Sequence, residues 1–188
     1  MQILQAVIPP WPRPAIAFAF TKTINTFHLE IMKKIALIVL TSALFTGCAS
    51  VQMESKETSD KAKEFAPPTA GNSGLYIYRD GFIGKLLKKD VMVDGKCIGE
   101  SAPDVFFYTE VSGDKEHEVS TASEFTPNKL SMLFESGKNY FIRQYIKLGV
   151  MIGGADLELI PEEQGRAAVA KLAMAKQGTC SEYYVAPK

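Results

Sequence analysis

An Asp-Gly pair, Asp94-Gly95, lies between two short apolar runs, Asp90-Val91-Met92-Val93 and Lys96-Cys97-Ile98-Gly99. Both central residues of the tightest hairpin turn need positive φ, and Asp followed by Gly adopts it at least cost. The pair therefore predicts an antiparallel hairpin. The same two-residue alternation continues on either side. Leu75-Tyr76-Ile77-Tyr78 reads as a strand, and the 105–111 run places Val105, Phe107, Thr109 and Val111 on one face. Further runs cover 118–121, 129–134, 139–147 and 156–160, punctuated by Ser112-Gly113-Asp114, Thr126-Pro127-Asn128 and Ser136-Gly137. Turns this frequent predict a mainly β chain, an antiparallel β-sandwich rather than βαβ units. One C-terminal helix follows. Pro161 suits its first position, and Glu162 and Glu163 its first turn. Ala168, Val169, Leu172 and Ala175 form its apolar stripe, and Gly178 fits just past its end.

The front of the chain is of another kind. Lys33-Lys34 precede an apolar run over 35–45, which ends in Leu44-Phe45-Thr46-Gly47-Cys48. Such a run suits the core of a secretory signal and falls short of the ~20 residues that span a bilayer. A large apolar residue, two small ones and Cys resemble a bacterial lipobox, with Phe45 where Leu is usual. Residues 32–47 are thus expected to be a lipoprotein signal peptide, cleaved between Gly47 and Cys48, with Cys48 acylated. Residues 1–31, with Pro9, Pro10, Pro12, Pro14 and Trp11, do not fit before such a signal. They read as upstream sequence, with Met32 as the start. The polar stretch 48–73, ending in Pro67-Pro68-Thr69-Ala70-Gly71, reads as a flexible tether whose 55–65 part is transiently helical. The folded domain is expected over 74–188.

Charge and cysteine count narrow the function. The 21 basic and 21 acidic residues of the whole chain balance, which disfavours a nucleic-acid binder that works by neutralising phosphates. Residues 1–47 hold Arg13, Lys22, Lys33 and Lys34 against Glu30, so the remainder is mildly acidic. With Cys48 assigned to lipid, Cys97 and Cys180 remain. In an exported domain they form a disulfide; otherwise Cys97 is a buried thiol and Cys180 lies at a frayed end.

Few residues suggest chemistry. His117 lies in Glu116-His117-Glu118, but on a strand the two acids face away from the imidazole, so a shared metal is disfavoured and a solvated strand start expected. Neither G-x-S-x-G nor S-x-x-K occurs, and a nucleophile needs an adjacent base. Asp156 and Glu158 share a strand face and are the best candidates for acid-based hydrolysis, although such pairs are usually a strand's wet side. Asp80, Asp90 and Asp104 read as turn residues. Gly149-Val150-Met151-Ile152-Gly153-Gly154 is glycine-rich without the strand-turn-helix context of a phosphate loop. It reads as a tight apolar loop or bulged hairpin whose Val150, Met151 and Ile152 are core or, if exposed, touch lipid or a partner. Lys85, Lys88 and Lys89 form a small basic cluster at a strand edge.

The span from about Ser73 to Ser181 resembles a family of small bacterial lipoproteins catalogued as domain of unknown function 2846. Gly74-Leu75-Tyr76-Ile77-Tyr78-Arg79, Val91-Met92-Val93-Asp94-Gly95-Lys96 with Ile98-Gly99, Phe106-Phe107-Tyr108, Gly113 with His117, and Tyr140-Phe141-Ile142-Arg143 carry the likeness. The resemblance implies an envelope location and a small β-sandwich. It implies no catalytic residue, metal or cofactor.

The expectation is a lipid-anchored cell-envelope protein, held to a membrane through Cys48. Ala49 after the Cys, in place of Asp, favours the outer membrane facing the periplasm in a Gram-negative cell. The role expected is a non-catalytic module that binds an envelope protein, glycan or lipid. The alternatives are a hydrolase using Asp156 and Glu158, and an inhibitor or immunity module.

Overall fold

A computed structural model describes residues 50–149 and 153–181. The expected signal, Gly47, Cys48 and Val150 to Ile152 lie outside the described residues. Helix α1 (Lys56–Ala62) is followed by strands β1 (Asn72–Arg79), β2 (Lys89–Val93), β3 (Lys96–Ser101), β4 (Val105–Ser112), β5 (Lys115–Thr121), β6 (Asn128–Phe134), β7 (Asn139–Lys147) and β8 (Gly154–Ile160). Helix α2 (Glu162–Val169) and strand β9 (Ala173–Met174) complete it. One sheet has the order β8-β7-β1-β4-β9 and the other β3-β2-β5-β6. This is the mainly β sandwich that the alternation predicts, with a C-terminal helix.

The strands are held by their own pattern. In β1, Leu75 and Ile77 point between the sheets, while Tyr76 and Tyr78 point to the helices; all four are buried. The inner core adds Val91, Val93, Ile98, Phe107, Val119, Phe134 and Ile142. The outer core joins Tyr76, Phe106 and Phe141 to Val169, Leu172 and Met174 around α2. Tyr76 stacks on Phe141 at 4.9 Å between centroids. Helix α2 approaches so closely that a Cβ on Gly165 would lie 2.3 Å from Phe141 Cβ, so only glycine fits there. At the predicted turn, Asp94 and Gly95 have φ of 49° and 73°, the double positive φ that the sequence requires.

Three features differ from the sequence reading. First, two pairings are parallel, β1 with β7 and β4 with β9, because β7 arrives from the other sheet rather than by a hairpin. Second, α2 ends at Val169 and the chain re-extends. Ala173 N–H donates to Asp104 O and Ala175 N–H to Phe106 O, so the segment expected to continue the helix carries the two-residue strand β9 instead. Third, much of the expected tether is built into the domain. Met53 bridges Ala175, Lys176 N–H donates to Gln52 O, and Glu54 N–H to Met174 O. Helix α1 is capped by Ser55 Oγ and fastened by Ser59 Oγ, which accepts from Met174 N–H. Phe65 packs on Tyr76 and Phe141. A short helix without tertiary partners would not persist; here the sheet supplies them.

The segment after β9 lies against β3. Gly178 N–H donates to Ile98 O, and Glu100 N–H to Thr179 O.

Candidate functional site

The Asp94-Gly95 turn does more than reverse the chain. Asp94 Oδ1 accepts from Glu118 N–H at 3.0 Å, and Oδ2 lies 2.5 Å from His117 Nδ1. His117 Nε2 donates to Ser112 O at 2.9 Å. The imidazole is 5% exposed, which corrects the expected solvated strand start. A buried ring with only one partner would leave a polar nitrogen unsatisfied; this one ties two turns together. With both nitrogens engaged, neither is open to a metal or substrate proton in this arrangement. Glu116 and Glu118 face away from it, as the strand period requires. Asp94, His117, Asn72 and Glu110 line a polar depression of about 340 Å³.

Burial pushes the Asp94 carboxyl up, but hydrogen bonds from His117 and Glu118 N–H outweigh it and hold the group below its ordinary range. A depressed folded value stabilises the domain above the unfolded value near pH ~4 and loses that contribution as pH falls through the folded value. Asp94→Asn is therefore expected to flatten the acid limb of stability below pH ~4. Urea unfolding across that range checks this; an unchanged acid slope rejects the assignment.

Glu110 forms a second focus. Its carboxylate accepts from Tyr108 OH at 2.9 Å, Asn72 Nδ2 at 3.1 Å and Thr69 N–H at 3.2 Å, and Thr69 Oγ1 also donates to it. Burial raises this carboxyl, and the bonds from Thr69, Asn72 and Tyr108 lower it further than burial raises it. The result pins the 66–72 segment to β4. Between that segment, α1 and the outer sheet face opens a cleft of about 290 Å³, with Tyr76, Tyr108, Met174, Pro67, Glu110 and Lys61 in its wall. Tyr76 OH donates to Ala62 O at 2.8 Å, and burial first, then Glu110, push its pKa up to about 12 against the opposing effect of Arg166. Burial and Glu110 raise Tyr108 too. Both phenols are therefore neutral hydrogen-bonding groups at physiological pH. An apolar wall with a few fixed polar groups is the chemistry of a binding cleft.

Cys97 and Cys180 are bonded, with Cα atoms 6.0 Å apart. The disulfide joins β3 to the strap after β9. Asp90, expected in a turn, lies inside β2 and is 2% exposed. Its carboxylate accepts from Ser181 N–H at 3.0 Å and Ser181 Oγ at 2.5 Å. Nothing in the local sequence signals that contact, because its partner is 91 residues away.

Asp156 and Glu158 share a face of β8, as expected, but each meets a cation on β7. Lys147 Nζ is 2.8 Å from Asp156, and Arg143 Nη1 is 3.0 Å from Glu158. Arg143 also pairs with Asp80 at 2.6 Å. Burial raises Asp156, while the hydrogen bonds from Lys147 and Leu157 N–H lower it overall. A general acid needs a carboxyl raised toward neutral pH, the opposite of this shift. Among the described residues, no cluster of three or more His, Cys, Asp or Glu could hold a metal ion. No helix among them is long and apolar enough to cross a membrane.

No solved structure matches this chain. A relative in Haemophilus influenzae (strain ATCC 51907 / DSM 11121 / KW20 / Rd), described as an uncharacterized protein, is 51% identical over 161 residues, covering 86% of this chain and 95% of the relative. The family described as protein of unknown function (DUF2846) matches residues 69–155, which run from the Thr69 clamp through seven of the nine strands into β8. With its Val-Asp-Gly-Lys hairpin and the His117 that braces it, the chain belongs to the DUF2846 family.

Proposed function

We propose that this is a lipid-anchored cell-envelope protein, cleaved after Gly47 and acylated at Cys48, whose β-sandwich is a non-catalytic binding or structural module. The path of residues 50–54 carries this reading. That segment is stitched to β9 and Ala175, only a few residues along the chain from Cys48. An acyl group there would seat the domain directly on the membrane. Several acyl chains anchor far more firmly than one, since each buried methylene contributes ~0.8 kcal/mol.

The ligand classes considered are an envelope protein, a glycan or a lipid, with the cleft beside α1 as the first place to test. The ion-paired state of Asp156 and Glu158 weighs against a hydrolase built on them. The location proposed is the periplasmic face of the outer membrane. Intact-mass analysis of the protein extracted from membranes tests the anchor. Acyl mass on a chain beginning at Cys48, lost in Cys48→Ala, is the expected result. A chain that retains residues 32–47 in both forms overturns it.

A further inference from the structure

We propose that the loop end of the sandwich is a second membrane contact, docking on the headgroup region of an anionic bilayer and fixing the domain's orientation. The orientation rests on the lipid-anchored reading; the docking surface itself stands on the following geometry.

Three connections converge there. The β1–β2 loop (80–88) lies on β7, since a Cβ on Gly84 would meet Ile146 at 2.8 Å. The β5–β6 loop (122–127) touches the start of the β7–β8 connection, since a Cβ on Gly149 would lie 2.3 Å from Glu124 Oε2. Leu87 closes the group, its Cδ1 3.4 Å from a Cβ built on Gly153. These loops hold out large apolar side chains: Phe82 is 81% exposed, Ile83 62%, Leu86 76%, Phe125 78% and Leu148 92%. Five such residues at one end exceed the scattered exposure normal for a soluble surface.

The β1–β2 loop is held in this form from below. The Arg79 guanidinium, 1% exposed, donates to Leu87 O at 2.7 Å and to Gly84 O at 2.5 Å. The loop's carbonyls are thus turned inward, and Phe82, Ile83 and Leu86 outward. Lys85 Nζ stands 4.7 Å from the Phe82 ring centroid, placing a cation beside the apolar tip. Lys88 is paired with Glu100 at 3.3 Å and Asp80 with Arg143. Lys89, at the start of β2, is partly buried with Glu124 and Asp90 nearby, so Lys85, beside the Phe82 ring, is the charge offered to an anionic headgroup. Aromatic and aliphatic tips with an adjacent lysine are the chemistry of an interfacial contact.

The chain's entry point names the occupant. Ser50, Val51 and Gln52 share a groove with Lys88, Glu100 and Thr179. Ser50 is therefore beside the end of the same loop. The two residues back to Cys48 span at most ~7 Å. A membrane that receives acyl chains at Cys48 lies against this end, and tethering makes docking intramolecular.

The test uses the mature protein reconstituted in phosphatidylglycerol-containing vesicles with brominated acyl chains. The chain from Cys48 onward holds no Trp, so one variant carries Phe82→Trp and another Leu133→Trp, on β6 near the opposite end. Strong quenching and a blue shift at 82, without either at 133, is expected. Lys85→Gln is expected to lower the docked-to-undocked ratio roughly five-fold at low salt. Acyl mass with no quenching at 82 overturns the docking surface and leaves the anchor standing. Quenching at 82 in a chain without acyl mass overturns the anchor and leaves the docking surface standing. Equal quenching at both sites overturns the fixed orientation. Sedimentation as a dimer that Phe82→Glu dissociates assigns the face to a second copy and overturns the proposal.

Discussion

Replacing Cys97 and Cys180 together by Ala is expected to lower the stability of the domain by about 4–5 kcal/mol. The bond joins residues 83 apart, and a loop of that length carries a large share of the unfolded chain's entropy. The loss extends beyond the loop. Without the bond, the strap 176–181 is held on β3 by a few backbone hydrogen bonds, and Asp90 depends on it for both Ser181 contacts. A buried carboxylate without donors costs more than the bonds themselves. Urea unfolding of oxidised, reduced and doubly substituted protein measures the effect. Reduced wild type and the double variant should coincide; a drop below ~1 kcal/mol would show that the strap holds itself.

Arg79→Met is expected to cost roughly 3–5 kcal/mol, although methionine fills much of the same volume. The cation sits at the base of the sandwich's loop end, and among the described residues no carboxylate forms an ion pair with it. Its donors instead serve Gly84 O, Leu87 O and, at 3.5 Å, Ser101 O. Burial lowers its pKa, and Asp104 raises it in part. Ser101 Oγ meets Gln144, Gln144 Nε2 donates to Thr121 Oγ1 at 2.6 Å, and Thr121 Oγ1 donates to Asp90 O at 2.9 Å. Removing the guanidinium orphans carbonyls above this chain while the chain beneath remains buried. The loop is expected to become the first site of proteolysis, and Arg79→Lys, a point donor rather than a planar fork, to fall between the two. Limited proteolysis with mass mapping reads the first effect and urea unfolding the second. Wild-type protease resistance in Arg79→Met would show that Gly84 on Ile146 suffices to hold the loop.

The strands were legible because their signal is local. A period of two and an Asp-Gly turn are properties of neighbouring residues, so strands β1 to β8 fall where the alternation lies. Cys97 and Cys180 were legible because, with Cys48 set aside, two cysteines leave one pairing. The residues that shape the surfaces were not. His117 looks exposed between Glu116 and Glu118, and only the fold brings Ser112 O and Asp94 to it. Arg79 lies just past the run Leu75–Tyr78, and its partners, Gly84 O and Leu87 O, come only when loop 80–88 wraps over it. Helix α1 reads as linker because its stabilising partners, Met174 and Tyr76, belong to the sheet. In each case the deciding partner is far along the chain, where periodicity carries no information.

The segments 52–54 and 178–179 have a further consequence. An outer strand offers unpaired amides and carbonyls to any extended peptide, and an uncovered one invites edge-to-edge association. Here Gln52 to Glu54 cover the two-residue β9, and Gly178 and Thr179 cover β3. These two segments act as lids on two of the sheet margins among the described residues. Copies of the domain crowded together would otherwise meet strand to strand.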